Sequence, residues 1–337
     1  MKLVVKRIQV PRFVRVSLGS AMMLGLVEGI IDAMPSTVYL LTYHRGRCIA
    51  NCGFCPQARQ SRARTDLLSR VTWPRFLTES VVSKVGQIAP RGFLKRLCIQ
   101  AVNYRGVFKD IVCLVNALKT ETNIPISVCC QPVNAEHINE LVKTGIDRMG
   151  IPIDAATEKI FDKVKGREVD GPYSWKRQIE VLEEALKILG KGRVSTHLIV
   201  GLGENDEEMV HIVQLLTDMG VYPSLFAFTP IPGTNLERHG RPQVDRYRRI
   251  QLAHHLVTRG LMRYEDMRFS VSGAITDFGL PEEELKRLVL SGEPFLTSGC
   301  PGCNRPFYNE SPSGPIYNYP RKLSVEEVSE ARKQVGI

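Results

Sequence analysis

Nothing in this sequence is apolar for long enough to cross a bilayer, and that absence removes the membrane-spanning classes first. The nearest candidate, SLGSAMMLGLVEGIIDAM at residues 17–34, is short and carries Glu28 and Asp32. It therefore reads as an amphipathic helix, neither a span nor a cleavable signal, and a cytoplasmic location is the expectation. Internal repeats, low-complexity tracts and linkers are also missing. Basic residues outnumber acidic ones to leave a net charge of +10, yet no basic run is interleaved with aromatic residues. No nucleic-acid or membrane partner is expected; a solvated basic surface, or an acidic protein partner, accounts for the charge. A disulfide framework is not expected either, because the nine cysteines are odd in number and the cytosol keeps thiols reduced. Clustered thiols then point to metal or redox chemistry.

What is present is a regular alternation of strand-like and helix-like stretches over 337 residues, enough chain for one large barrel-type domain or two smaller ones. Strands are expected at 36–43, 95–102, 125–130, 146–153, 193–200, 224–230, 267–272 and 294–298. Helical patterns lie between most of them, as in SWKRQIEVLEEALKILG, where Ile179, Leu182, Leu186 and Leu189 recur on one face. Eight such units suggest an α/β fold of the (β/α)8 TIM-type barrel, with its active site at the C-terminal ends of the strands. The expected organisation is an N-terminal helical extension at 1–35, the barrel at 36–299, and a C-terminal tail at 300–337, rich in Pro, Gly, Asn and Tyr and packed over the barrel.

The barrel gives the cysteines an address. Cys48, Cys52 and Cys55, spaced C-x3-C-x2-C in RGRCIANCGFCPQARQS, follow the first strand. Cys300 and Cys303 follow the eighth, which would close beside the first and put both sets on one rim. Cys98 lies in the second strand, and alternation sends one of Cys129 and Cys130 inward from the third. Up to seven thiols would line one cavity. Three close thiols suit either a zinc loop completed by His44 or a 4Fe-4S cluster whose fourth iron stays open to a small molecule. Cys113 lies on an apolar helical face and reads as core, and His197, in the fifth strand, reads as a packed, hydrogen-bonded residue beside the cavity.

The C-x3-C-x2-C loop after a first strand, with Phe54 just before the third cysteine, resembles the radical S-adenosylmethionine (SAM) superfamily. That resemblance implies a 4Fe-4S cluster on Cys48, Cys52 and Cys55 whose open iron chelates SAM, and reductive cleavage to a 5'-deoxyadenosyl radical that takes hydrogen from an unactivated carbon. LIVGLGEND, with Gly201 and Glu204, is similar to the fifth-strand motif that contacts the adenine end of SAM; Glu204 can instead cap the next helix, where Asn205 and Asp206 also qualify. Arg177 is the candidate for the SAM carboxylate, with Lys176 competing and a solvated helical role as the plain alternative. CGFCPQA and RLCIQAV further resemble the biotin synthase branch from about residue 36 to 280, and there Cys98 and Cys129 match cysteines that bind an auxiliary cluster.

The departures from biotin synthases are as informative. Ser195 stands where a third auxiliary cysteine is expected, RFSVSGA offers no matching arginine, and Gly150 and Pro152 in DRMGIPID cannot hold a ureido ring as side-chain amides would. Asp154, retained, would lie near the SAM ribose. In exchange the tail brings Cys300 and Cys303, which with Cys98 and Cys129 could hold an auxiliary 4Fe-4S cluster; a separate zinc knuckle would need two more ligands that the tail lacks. This combination resembles the archaeal two-protein lipoyl synthases, a biotin-synthase-related family. The resemblance implies sulfur insertion at C6 or C8 of an octanoyl chain on the lysine of a lipoyl-carrier protein, with the auxiliary cluster as sulfur donor. It also implies a second related radical SAM protein and an electron donor such as ferredoxin. Another radical SAM enzyme, a biotin-synthase-like sulfurtransferase or a methylase on a free small molecule, is the alternative, and an iron-sulfur scaffold without substrate is a more distant one.

Overall fold

A computed structural model of the protein describes residues 10–132 and 134–337; the first nine residues of the expected N-terminal extension lie outside it. The chain begins with β1 (Phe13–Val16), α1 (Leu18–Met23) and β2 (Thr37–Thr42), then a hairpin of β3 (Leu67–Leu68) and β4 (Val71–Thr72), and β5 (Arg75–Leu77). Next come α2 (Thr78–Ile88), β6 (Arg96–Gln100), α3 (Val107–Glu121), β7 (Ile126–Cys129), α4 (Ala135–Lys143), β8 (Arg148–Gly150), α5 (Glu158–Val164) and α6 (Trp175–Leu189). After these follow β9 (Val194–Val200), α7 (Asp206–Met219), β10 (Tyr222–Ala227), α8 (Val244–Thr258), the short pair β11 (Arg268–Phe269) and β12 (Ile275–Asp277), α9 (Glu282–Ser291) and α10 (Val325–Val335).

The principal sheet has eight strands in the order β10-β9-β8-β7-β6-β2-β1-β5. From β10 to β2 all neighbours are parallel, with helices in the connections; β1 and β5 add antiparallel strands beyond β2. Alternation sorts the side chains. Leu97, Ile99, Val128, Met149, Leu198 and Leu225 point into the helical layer, each no more than 1% exposed, while their neighbours Cys98, Cys129, Ser195, His197 and Phe226 face the interior cavities. Helix α6 shows why the helices sit where they do: the Ser174 hydroxyl caps its start by accepting from Arg177 N, Leu182 and Leu189 are buried, and Gly190 ends it at φ 86°.

Six of the eight expected strands form the parallel run, and the sheet's remaining two are β1 and β5. Within 267–272 only Arg268 and Phe269 are extended, and they pair with β12 in a separate two-stranded sheet because Ser270 to Gly273 turn back, with the Ser270 N–H reaching Ala274 O. The stretch at 294–298 opens in a 3-10 turn at Glu293–Phe295, whose second residue, Pro294, has no N–H to give a ladder. In the N-terminal extension the helix stops at Met23, and Phe13–Val16 is a strand of the main sheet.

The tail does the work expected of the last strands. It spans from the first parallel strand to the last: Asn304 Oδ1 accepts from Ser36 N at 2.9 Å, just before β2, and Arg305 Nη2 donates to Leu225 O at 3.3 Å in β10. Arg248 of α8, 1% exposed, holds the tail by donating to the carbonyls of Tyr317 and Ile316, and also bonds Gln251 and Gln334. Arg248→Ala would leave those acceptors buried without a donor. We expect it to lower the unfolding free energy by about 2–4 kcal/mol and to make residues 305–316 the first site cut in limited proteolysis, read by urea titration and by mass mapping of the fragments.

Candidate active site

The loop after β2 owes its shape to backbone hydrogen bonds within itself and with other loops. Cys48 N donates to Gln57 O, Ile49 N to Asn103 O, Gly53 N to Val164 O and Cys55 N to Cys52 O. Side chains complete the cradle: Arg47 donates to the carbonyls of Pro56 and Ala63, and Gln57 to those of Thr65 and Leu67. The outcome is that Cys48, Cys52 and Cys55 line a cavity of about 190 Å3 together with Phe54, Asn103, Asp154, Lys165, Tyr173 and His197.

All three thiols are free. Burial pushes Cys52 up to about 12, with the Lys165 ammonium opposing, and pushes Cys48 and Cys55 upward as well. Three protonated thiols gathered in a desolvated cavity are the donor set of an iron-sulfur cluster before loading. Among the described residues no three Cys, His, Asp or Glu side chains converge as ligands of a single ion do. His44, the proposed fourth zinc ligand, instead stacks on Tyr104 at 4.7 Å and does not line the cavity. With His44 turned onto Tyr104, the three thiols lack the fourth ligand that a zinc loop would take from it.

A second cavity of about 50 Å3 adjoins the first and is lined by Cys98, Cys129, Cys300 and Cys303. Cys129, His197 and Tyr308 line both cavities, so the two thiol sets share a wall. They do not share a rim, which corrects the expectation. Ser36 Oγ donates to Gly302 O just before β2, and Arg96 Nε, at the start of β6, donates to Pro301 O. Cys300 and Cys303 therefore sit at the N-terminal ends of the strands, because the eighth expected strand does not form and the chain runs back beneath the sheet. Cys303 Sγ lies 3.1 Å from Tyr39 Oη, and Ser127 Oγ lies 3.5 Å from Cys300 Sγ. Cys129 lines both cavities, while Cys130 lines the first alone and belongs to the main core cluster.

Other candidates stand elsewhere. Asp154, at φ 68°, lines the first cavity and makes a buried ion pair with Lys165 Nζ at 2.6 Å; Lys165 also donates to Pro152 O. Arg177 does not line the cavity. It lies on the outer face of α6, paired with Glu180 and Glu184 along its own helix. Gly201 and Glu204 do not line it either: both Glu204 carboxylate oxygens are used by the Gly201 and Leu202 N–H groups and by Arg246, so this carboxylate builds the turn after β9. Gly201 itself is required there, at φ 103° with Pro242 Cδ 2.9 Å from where a Cβ would stand. Asn205 and Glu208 form the capping box of α7. His197 is held neutral, since burial lowers it to about 3, and its Nε2 is 3.8 Å from Cys129 Sγ.

The sequence reading missed Lys165, Tyr173 and Arg305. Asn103 could have been found, since it lies just past the C-terminal end of β6, where barrel sites are built. Lys165 carries no such signal, because it reaches the cavity only through the loop after α5.

The Radical SAM superfamily profile matches residues 42–216, just over half of the chain. The chain belongs to the radical SAM superfamily. Within it, the chain is similar to biotin synthases: it is 25% identical to the biotin synthase of Synechocystis sp. over 251 residues, 72% of this chain and 66% of that one. It is 28% identical to an uncharacterized protein of Methanocaldococcus jannaschii over 172 residues, 49% of this chain and 43% of that one. The chain thus spans about half to two thirds of the length of these curated relatives. The crystal structure of methylornithine synthase has the same fold, with a TM-score of 0.50 and 13% identity over 66% of this chain and 62% of that one. Membership in the radical SAM superfamily implies a 4Fe-4S cluster and SAM as cofactors. No helix among the described residues is long and apolar enough to cross a membrane.

Two outcomes follow. Asp154→Ala leaves the Lys165 ammonium buried without its partner, and should cost about 3–5 kcal/mol in urea unfolding, whereas the Asp154→Ala, Lys165→Met pair should recover most of that loss. Because burial raises the three loop thiols and cluster ligands must be thiolates, loading releases protons. Anaerobic reconstitution, followed by the growth of visible absorbance, should therefore speed up as pH rises from 7 to 9; a pH-independent rate would contradict the protonated state.

Proposed function

We propose that this radical SAM enzyme inserts sulfur into the octanoyl chain carried on the lysine of a lipoyl-carrier protein, forming the lipoyl group. The observation that carries the reading is that Cys129 lines both cavities, which brings a second thiol set within one shared wall of the SAM-cluster loop. In this reading Cys98, Cys129, Cys300 and Cys303 hold an auxiliary 4Fe-4S cluster that donates the sulfur, since four thiolates suit that cluster type. When bound, the loop cluster and SAM supply the hydrogen-abstracting chemistry.

The chain's own residues do the remaining work. The wall built by Cys129, His197 and Tyr308 keeps the alkyl carbon between the two sets, so that an activated carbon meets sulfur before any other donor. Phe54 and the Asp154–Lys165 pair line the cavity on the side of the loop thiols and help exclude water from it. Ser195 lines the second cavity where biotin-type enzymes would carry a cysteine, which favours the tail pair as the completing ligands. A second related radical SAM protein and a ferredoxin-type electron donor are the expected partners, and the basic surface suits an acidic carrier domain.

The test is iron and acid-labile sulfide per chain after anaerobic reconstitution, comparing the parent with a Cys300→Ala, Cys303→Ala double variant. About eight irons should fall to about four, as two 4Fe-4S clusters become one, and sulfur-bearing product should vanish while reductive SAM cleavage persists. About four irons in both would remove the auxiliary cluster. A product heavier by one methyl and free of sulfur would replace sulfur insertion by methylation.

A further inference from the structure

Gln131 lines the first cavity, yet its buried Oε1 accepts from no donor among the described residues. The rest of its carboxamide is fixed. Nε2–H donates to Pro152 O at 2.8 Å, and a carbonyl oxygen can only accept, so the nitrogen must face Pro152 and the oxygen must face away from it. Lys165 Nζ donates to the same carbonyl and pairs with Asp154, which ties this amide to a buried ion pair of the cavity wall. A buried acceptor left without a donor costs stability, and it is explained when the donor arrives with a ligand. Position says which ligand. Gln131 follows Cys129 by two residues, so at most about 7 Å of backbone separates it from the residue that lines both cavities. It is no part of the loop of Cys48, Cys52 and Cys55, where the radical SAM cluster belongs. The missing donor therefore lies on the side where a substrate carbon has to meet the second thiol set.

We propose that Gln131 Oε1 accepts the amide N–H that joins an acyl chain to its carrier lysine, and so selects amide-linked chains over esters, thioesters and free acids. The proposal rests on the sulfur-insertion reading for the identity of the substrate and adds the residue that reads its linkage. A saturated chain has no donor along its length; the N–H of its lysine linkage is the only one it offers. An octanoyl chain held by that N–H is longer than the backbone distance to Cys129, so its far carbons reach the shared wall from within the first cavity, without entering the second. An ester puts an oxygen where the N–H stood, which sets two acceptors face to face and leaves Oε1 unpaired.

The test is a binding comparison on the reconstituted full-length protein with SAM present. One peptide bears Nε-octanoyl-lysine and the other is its isostere with an ester oxygen in place of the N–H; each is titrated into the parent and into Gln131→Met, which keeps the length of the side chain and removes its amide. Iron per chain and SAM affinity report whether the variant is intact. We expect the parent to bind the amide about tenfold or more tightly than the ester, the factor one buried hydrogen bond supplies, and Gln131→Met to bind the two alike. Equal affinity of the parent for amide and ester overturns the proposal, since a water then satisfies Oε1. So does a preference that survives in Gln131→Met, and so does failure of the amide peptide to bind. A Gln131→Met variant that keeps its iron and its amide preference but loses SAM affinity assigns the donor to SAM, which also overturns it. If Gln131→Met loses iron, Gln131→Ala is read by the same comparison, and loss of iron from both makes Gln131 a structural residue and overturns the proposal. The two readings separate cleanly: a Gln131-dependent preference for the amide without sulfur in any product leaves the linkage contact standing and removes sulfur insertion. Sulfur-bearing product made from amide and ester at equal rates does the reverse.

Discussion

Removing a thiol from water penalises its ionised form, and the interior of this protein gathers thiols around two adjoining cavities where most of them carry that penalty. Cys48, Cys52 and Cys55 line one cavity, Cys98, Cys300 and Cys303 line the next, and Cys129 lines both. Burial dominates the upward push on Cys52, Cys98, Cys129 and Cys303 alike. An isolated buried cysteine is a small hydrophobe, but three of them on one loop at one cavity are the kind of donor set that the 4Fe-4S cluster of the radical SAM superfamily calls for.

The sheet makes that gathering possible, because each parallel strand turns every second residue inward. Cys98 and Cys129 stand on neighbouring strands at positions that face the same space, and His197 and Phe226 face it from β9 and β10. The tail then completes the wall that the strands leave. Its hold on the barrel runs through charged and polar groups buried at the joint, above all Arg248 against the carbonyls of Tyr317 and Ile316. Arg305 adds a guanidinium 3.8 Å over the Phe226 ring, beside the second thiol set. The elements that close the site are thus the ones with least regular secondary structure, held by specific polar contacts in place of a ladder.

Two charged groups, one at the cavity and one away from it, show how differently such contacts read in one dimension and in three. Glu204 sits in a motif that invites a ligand contact, yet both its oxygens are spent on the turn and on Arg246. Lys165 sits in no motif, yet its ammonium is buried against Asp154 within the cavity wall. A charged side chain on a helix surface, such as Arg177, can find its partners on its own helix, and nothing in its neighbours' spacing says that it will not turn inward.

Local spacing and period determined much of this protein. The C-x3-C-x2-C loop after an apolar strand announced its chemistry, because three ligands within eight residues need no tertiary fold to be near one another. Six strands were legible for the same reason: each is a run whose own alternation or apolarity marks it. The tertiary structure alone decided what depends on distant pairing. The seventh and eighth strands failed where Ser270 to Gly273 turn back and where Pro294 opens a helical turn, and their places were taken by β1, β5 and the tail. That exchange put Cys300 and Cys303 at the opposite end of the strands from the loop cysteines while still bringing both sets to one wall. No local pattern encodes such a result, since it follows from which strand edges remain open once the rest of the sheet has formed.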